Sequence, residues 1–142
     1  VYKRQLVVGG GAPSLPSLWD LAAQDPRVTL HIDTQHMPEL ALEADLAIGA
    51  GGSTTWERCV LGLPALTLIL ADNQAPSAHA LDAAGASPCL DAAAPDFEAA
   101  FAETVTDLLK NASRRAALTT ASAALCDGLG ADRAAEAFLA AL

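Results

Sequence analysis

The chain has 142 residues, enough for one domain with a proper buried core. Hydrophobic residues make up 52% and charged ones 18%, so most elements need cover on at least one side. With 17 acidic against 8 basic residues the formal charge is −9, which argues against nucleic acid or an anionic membrane surface as the main partner.

The first five residues, Val1-Tyr2-Lys3-Arg4-Gln5, hold one of the two lysines and the sole tyrosine, with no initiating methionine. In-frame translation of a common sequencing-transposon end gives the same pentapeptide. The segment 1–5 therefore reads as foreign to a frame that begins at Leu6, with natural sequence expected upstream of that point. Leu6-Val7-Val8 before three glycines is a buried strand entering a loop. Leu15 to Ala23 spaces leucines for a short helix, and Asp25-Pro26 turns the chain. Val28 to Ile32 is a second strand ending in the loop Asp33-Thr34-Gln35-His36, and Met37 to Glu43 is a brief helix with Pro38 in its first turn.

Ala44 to Gln74 is the most informative stretch. A short apolar run to Ile48, the turn Gly49-Ala50-Gly51-Gly52, a helix opened by Ser53 and Thr54, and a second apolar run from Ala65 make a βαβ unit. Gly62 ends its helix and Pro64 stops any continuation. Glycines let a ligand approach the backbone closely, and a helix start presents unpaired N–H donors, so the turn suits an anion such as phosphate. Further on, a helix runs from Gln74 through Ala84 and is closed by Gly85, and Pro88-Cys89-Leu90 makes a short strand. Asp96 caps a helix from Phe97 to Lys110, whose apolar stripe is Phe97, Phe101, Val105 and Leu108. Two alanine-rich helices follow, separated by Asp127-Gly128-Leu129-Gly130. The expected fold is α/β with a Rossmann-like parallel sheet. Leu6–Val8, Val28–Ile32, Leu46–Ile48 and Ala65–Leu70 are expected as neighbouring strands sharing one C-terminal rim.

Several readings of the turn compete. It is not a P-loop, since no lysine follows at G-x-x-x-x-G-K-[ST] spacing, and it lacks the second glycine of G-x-S-x-G. Gly49 and Gly51 begin a dinucleotide fingerprint, with Asp72 about twenty residues on as a ribose-binding acid, but Thr54 stands where the third glycine belongs. A tight turn with no ligand, in a non-enzymatic interaction module, is the bland alternative. Thr54-x-x-Glu57 matches a capping box, while the functional alternative has Glu57 accept hydrogen bonds from a ribose diol. Asp72-Asn73-Gln74 leave a strand end where open parallel sheets bind ligands, and their amides suit sugar hydroxyls, a phosphate or a turn. Trp56 reads as core packing and Arg114-Arg115 as a solvated helix face. His31, His36 and His79 have no metal spacing, and no metal or cofactor is called for. Cys59, Cys89 and Cys126 are odd in number and without C-x-x-C spacing, fitting buried thiols in a reducing cytosol. The longest apolar run, Cys59 to Ala71, is too short to span a bilayer, and no signal-peptide pattern is present. A cytoplasmic location is the expectation.

The run Ala44 to Cys59, with Leu61-Gly62-Leu63-Pro64 and Leu70-Ala71-Asp72-Asn73-Gln74, resembles the UDP-sugar hydrolases of pseudaminic acid biosynthesis. Those are similar in turn to the MurG glycosyltransferases, which have two Rossmann-like halves in a GT-B fold. The resemblance begins near Leu6 and returns in Asp127 to Arg133. It implies that residues 6–142 are the C-terminal, UDP-binding half. Gly51, Gly52, Ser53 and Thr54 would hold the diphosphate, Glu57 the ribose hydroxyls, the Thr34 backbone the uracil edge, and Asn73 with Gln74 the sugar or phosphate. The implied reaction is release of UDP from a diacetamido-trideoxy sugar by water, with transfer to an acceptor by a MurG-like enzyme as the alternative. The family's catalytic histidine sits in the N-terminal half, which this sequence lacks, and the first strand of the C-terminal half is also expected upstream of Leu6. Gly10-Gly11 does not replace that strand's loop. The chain alone is expected to be inactive without its N-terminal half.

Overall fold

The computed structural model describes residues 2–141. They divide into two compact units, up to Leu40 and from Ala41 onward. In the first unit β1 (Arg4–Val8) and β2 (Val28–Ile32) pair in parallel with Leu6 opposite Leu30, and α1 (Leu15–Gln24) connects them. Strand β1 takes in Arg4 and Gln5, which lie opposite Val28 and Thr29. Asp25 closes the α1–β2 turn by accepting from the Arg27 N–H and side chain and from Arg4. The boundary between the units falls within α2 (Met37–Leu42).

The second unit holds β3 (Ala47–Ala50), α3 (Thr54–Val60), β4 (Ala65–Ile69), a 3-10 turn at Asp72–Gln74, α4 (Ala75–Ala83) and β5 (Cys89–Asp91). Three helices follow: α5 (Phe97–Lys110), α6 (Ala112–Leu125) and α7 (Gly130–Ala140). The sheet order is β3-β4-β5, all parallel. The α/β class and the parallel pairing are as the sequence implies. The four first strands do not form one continuous ladder among the described residues, however. Hydrogen bonds join β1 to β2, and β3 to β4 to β5, in two separate sheets.

Strand β4 is central and buried on both faces, as expected of a parallel strand between helices. On one face Leu66 meets Leu108 of α5 and Leu118 of α6, with Phe101, Val105 and Leu90 around them. The apolar stripe of α5 therefore reaches the core as its spacing requires. Neighbouring Thr67 puts its hydroxyl 2.8 Å from Ser87 Oγ, and Ser87 Oγ lies 2.9 Å from the Ala65 carbonyl, so these buried polar groups satisfy one another. A second cluster joins Cys59, Leu81 and Ala86 beneath Ala121 and Cys126. Gly62 and Gly85 end α3 and α4 with φ of +60° and +68°, the left-handed region that glycine enters without strain. Among the described residues no helix is long and apolar enough to cross a membrane.

Leu108 is fully buried, so Leu108→Ala should lower unfolding free energy by about 2–5 kcal/mol in urea denaturation. Acid should act elsewhere. Arg133 and the Leu129 N–H hold the Asp127 carboxyl down at about 2, and Arg27 and Arg114 likewise lower Asp25 and Asp107. A carboxyl lowered on folding stabilises above its unfolded value near 3.9, and that contribution is lost as pH falls through the folded value. Asp127→Asn should therefore lower the neutral-pH plateau and flatten the acid limb of stability between about pH 4 and 2, so that the two proteins converge at low pH in acid denaturation.

Candidate functional site

The glycine turn is fixed by the strand pair beneath it. Gly51 N–H donates to the Leu68 carbonyl at 3.0 Å, so the β3–β4 ladder runs one residue past β3. A Cβ on Gly51 would stand 3.3 Å from Gln74 Cβ and 3.4 Å from Thr67 Cγ2. The turn and the Asp72–Gln74 segment therefore lie side by side at the C-terminal ends of β3 and β4. Gly51 contributes through this packing, since its N–H is already committed.

Gly52 differs. It has no positive φ, and a Cβ there would find nothing within 4 Å. Nothing among the described residues requires glycine at this position. The helix begins with Thr55 N–H to Gly52 O and Trp56 N–H to Ser53 O, both 3.1 Å. The N–H groups of Gly52, Ser53 and Thr54 meet no acceptor among the described residues, and all three residues are exposed. Three consecutive open donors at a helix start are an arrangement that can accept an anion. Helix α3 has only 7 residues, so these donors matter more than any helix dipole.

Glu57 lies on the same short helix. The capping box does not form: Ser53 is the cap residue, Thr54 is already helical, and no side chain caps the end. The exposed Glu57 carboxylate makes no hydrogen bond or ion pair among the described residues, which leaves it open to a ligand. Gln74 Oε1 accepts the Leu70 N–H at 3.0 Å, which leaves the amide NH2 free to donate, and the Asn73 side chain is exposed. Next to Asp72 a cleft of about 340 Å3 opens, lined by Leu70, Ala71, Ala75 and the segment Asp91 to Ala93. The residues at the β5 end were not singled out in the sequence. The rule that ligands sit at the C-terminal ends of parallel strands, applied to Cys89-Leu90, would have pointed to them.

Thr34 belongs to the first unit, where its Oγ1 accepts the His36 N–H at 3.1 Å in a loop entered by Asp33 at φ 48°. In the same unit His31 Nε2 lies 2.8 Å from Gln5 Oε1, and His36 is exposed 3.9 Å from Glu39. No group of three or more metal-ligating side chains occurs among the described residues. Burial pushes the Cys59 and Cys89 thiols up from their ordinary value, which disfavours the thiolate. Trp56 is 47% exposed rather than packed in the core. The inward face of α3 is Thr55 and Cys59, four residues apart, and Trp56 falls off that stripe. Arg115 is not merely solvated: it donates to the Leu108 and Leu109 carbonyls at 2.7 and 3.0 Å, holding α6 to the end of α5.

Residues 22–136 match the family model of the glycosyltransferase family 28 C-terminal domain. Over 101 residues the chain is 38% identical to the UDP-N-acetylglucosamine--N-acetylmuramyl-(pentapeptide) pyrophosphoryl-undecaprenol N-acetylglucosamine transferase of Salinibacter ruber (strain DSM 13855 / M31). That match covers 68% of this chain and 26% of the relative, so the chain spans about a quarter of the relative's length.

The two glycines should respond differently to substitution. Gly52→Ala should leave thermal stability within about 0.5 kcal/mol of wild type, because its Cβ enters open space. Gly51→Ala should cost about 1–3 kcal/mol, because Gln74 and Thr67 must give way. Calorimetry on both variants checks the contrast, and equal losses would mean that Gly52 is structural.

Proposed function

The chain belongs to the glycosyltransferase family 28 C-terminal domain family, and on that premise we propose that it is the nucleotide-sugar-binding half of a UDP-sugar glycosyltransferase. The observation that carries this reading is the row of open N–H donors at Gly52, Ser53 and Thr54, beside a free Glu57 carboxylate and the Gln74 amide. These N–H groups donate to the diphosphate oxygens and stabilise the charge that builds on them as the anomeric C–O bond breaks. Gly51 holds the turn in place, and Glu57 accepts from the ribose hydroxyls. Asn73 and Gln74 face the sugar or the phosphate. The relative's name specifies transfer of N-acetylglucosamine from its UDP form, so a UDP-hexosamine is the donor class proposed here.

The base that activates the attacking hydroxyl is assigned to an upstream half of the protein, so residues 6–142 alone should not turn over.

A second reading is hydrolysis, with water in place of the acceptor and a diacetamido-trideoxy sugar on UDP. It rests on the run Trp56-Glu57-Arg58-Cys59 together with Asp72-Asn73-Gln74.

UDP should raise the melting temperature and NAD should not. Glu57→Ala should weaken UDP binding by about 1–3 kcal/mol in calorimetric titration. Protection by NAD instead would favour a dinucleotide site, and protection by neither would favour a purely structural turn. In a protein that includes the upstream half, UDP release that needs an acceptor supports transfer. Release at full rate without an acceptor supports hydrolysis.

A further inference from the structure

Behind the turn lies a cation that this reading does not use. The Arg58 side chain runs back under the loop, where Nη2 donates to the Ala50 carbonyl at 3.1 Å and to Thr55 Oγ1 at 3.0 Å. Nη1 lies 3.4 Å from Thr54 Oγ1, and the buried Nε has no partner. No carboxylate pairs with Arg58 among the described residues, and burial pulls its pKa down. Its hydrogen-bond acceptors are all neutral, and although the Glu57 charge acts on it from nearby, burial outweighs that, so a bound anion would further compensate this half-buried guanidinium. Gly49 makes room for it: a Cβ there would stand 2.8 Å from Nη1.

We propose that Arg58 is the positioning residue of the anion-binding turn, and that Gly49 is glycine to admit its guanidinium. This rests on the nucleotide-binding reading given above. By binding the Ala50 carbonyl, Arg58 fixes the peptide from which the open donors follow. Because Thr54 Oγ1 accepts from Nη1, its own O–H is left to donate outward, beside the Thr54 N–H. The cation does not touch the ligand. It orients neutral donors and places positive charge one layer behind the diphosphate, where partial burial limits screening.

The test uses the 142-residue chain with Arg58→Met, Arg58→Lys, Gly49→Ala and the Gly49→Ala/Arg58→Met double variant. UDP and uridine are titrated in parallel by NMR. Arg58→Met should weaken UDP about 10- to 100-fold, in the range for charge-assisted hydrogen bonds, and change uridine binding less than about twofold. Arg58→Lys should fall between wild type and Arg58→Met. Gly49→Ala should resemble Arg58→Met and add less than about twofold on top of it, since the two act as one unit. Unchanged UDP affinity in Arg58→Met, or equal losses for UDP and uridine, overturns the inference. If the wild-type chain binds no UDP, the nucleotide reading fails, and thermal unfolding then decides the Gly49–Arg58 link. Gly49→Ala must lower the melting temperature in wild type and not in Arg58→Met, and equal losses in both sink it.

Discussion

The parallel pairing of β3 with β4 is the constraint on which the candidate site depends. Ala47 to Ala50 lie opposite Ala65 to Leu68, and the Gly51 N–H carries the ladder one step further. That register delivers the glycine turn and the Asp72–Gln74 segment to the same rim, although more than twenty residues separate them. A slip of one residue would turn the inward face of β3 outward and take Gly51 away from Gln74. The absence of a side chain at Gly51 lets the two segments touch.

Register in turn depends on what covers β4. Leu66 and Thr67 are both fully buried on opposite faces, one among leucines and the other in a closed hydroxyl pair with Ser87. The helices that cover Leu66 are themselves tied together. Asn111 ends α5 and caps α6 by accepting the Arg114 N–H at 3.0 Å, and Arg115 reaches back to the last carbonyls of α5. The exposed donors of the turn therefore stand on a strand with little freedom to move, which suits a site that must not reorganise when charge develops.

Much of this was legible in the sequence where the signal is local. The strand runs, the glycine stops at Gly62 and Gly85, and the stripe on α5 each depend on the residues beside them, and each lies where its spacing puts it. What was not legible depends on contacts between distant residues or on helix phase. Trp56 looked like core because it is large and apolar, but Thr55 and Cys59 set the phase of α3 and turn it outward. The Thr54–Glu57 spacing fits a capping box only if Thr54 is the cap, and the helix starts one residue earlier. The break between the β1–β2 and β3–β4–β5 ladders is a matter of pairing order, which hydrophobic runs do not encode. Arg115 and Arg58 are charged and short of obvious partners in sequence, and only packing reveals the carbonyls that they bind.

The three glycines of the turn show how far the Gly49-x-Gly51 spacing carries the likeness to a dinucleotide fingerprint. In that motif the second glycine lets backbone approach the pyrophosphate and the third lets helix pack on strand. Here Gly51 packs against Gln74, Gly52 faces open space, and α3 packs through Thr55 and Cys59 with Thr54 in the third glycine's place. The same residue type answers different steric demands, so the likeness is one of letters rather than of geometry. The charge balance leads to a related conclusion. A chain of net charge −9 does not attract a nucleotide diphosphate from a distance. At physiological ionic strength that repulsion fades beyond about 8 Å, so what matters is the short-range arrangement. Open N–H groups supply that arrangement in front, and a guanidinium without a carboxylate partner backs them from behind. In an acidic domain the anion site proposed above would have to be built in this way, from fixed local donors that act only at short range.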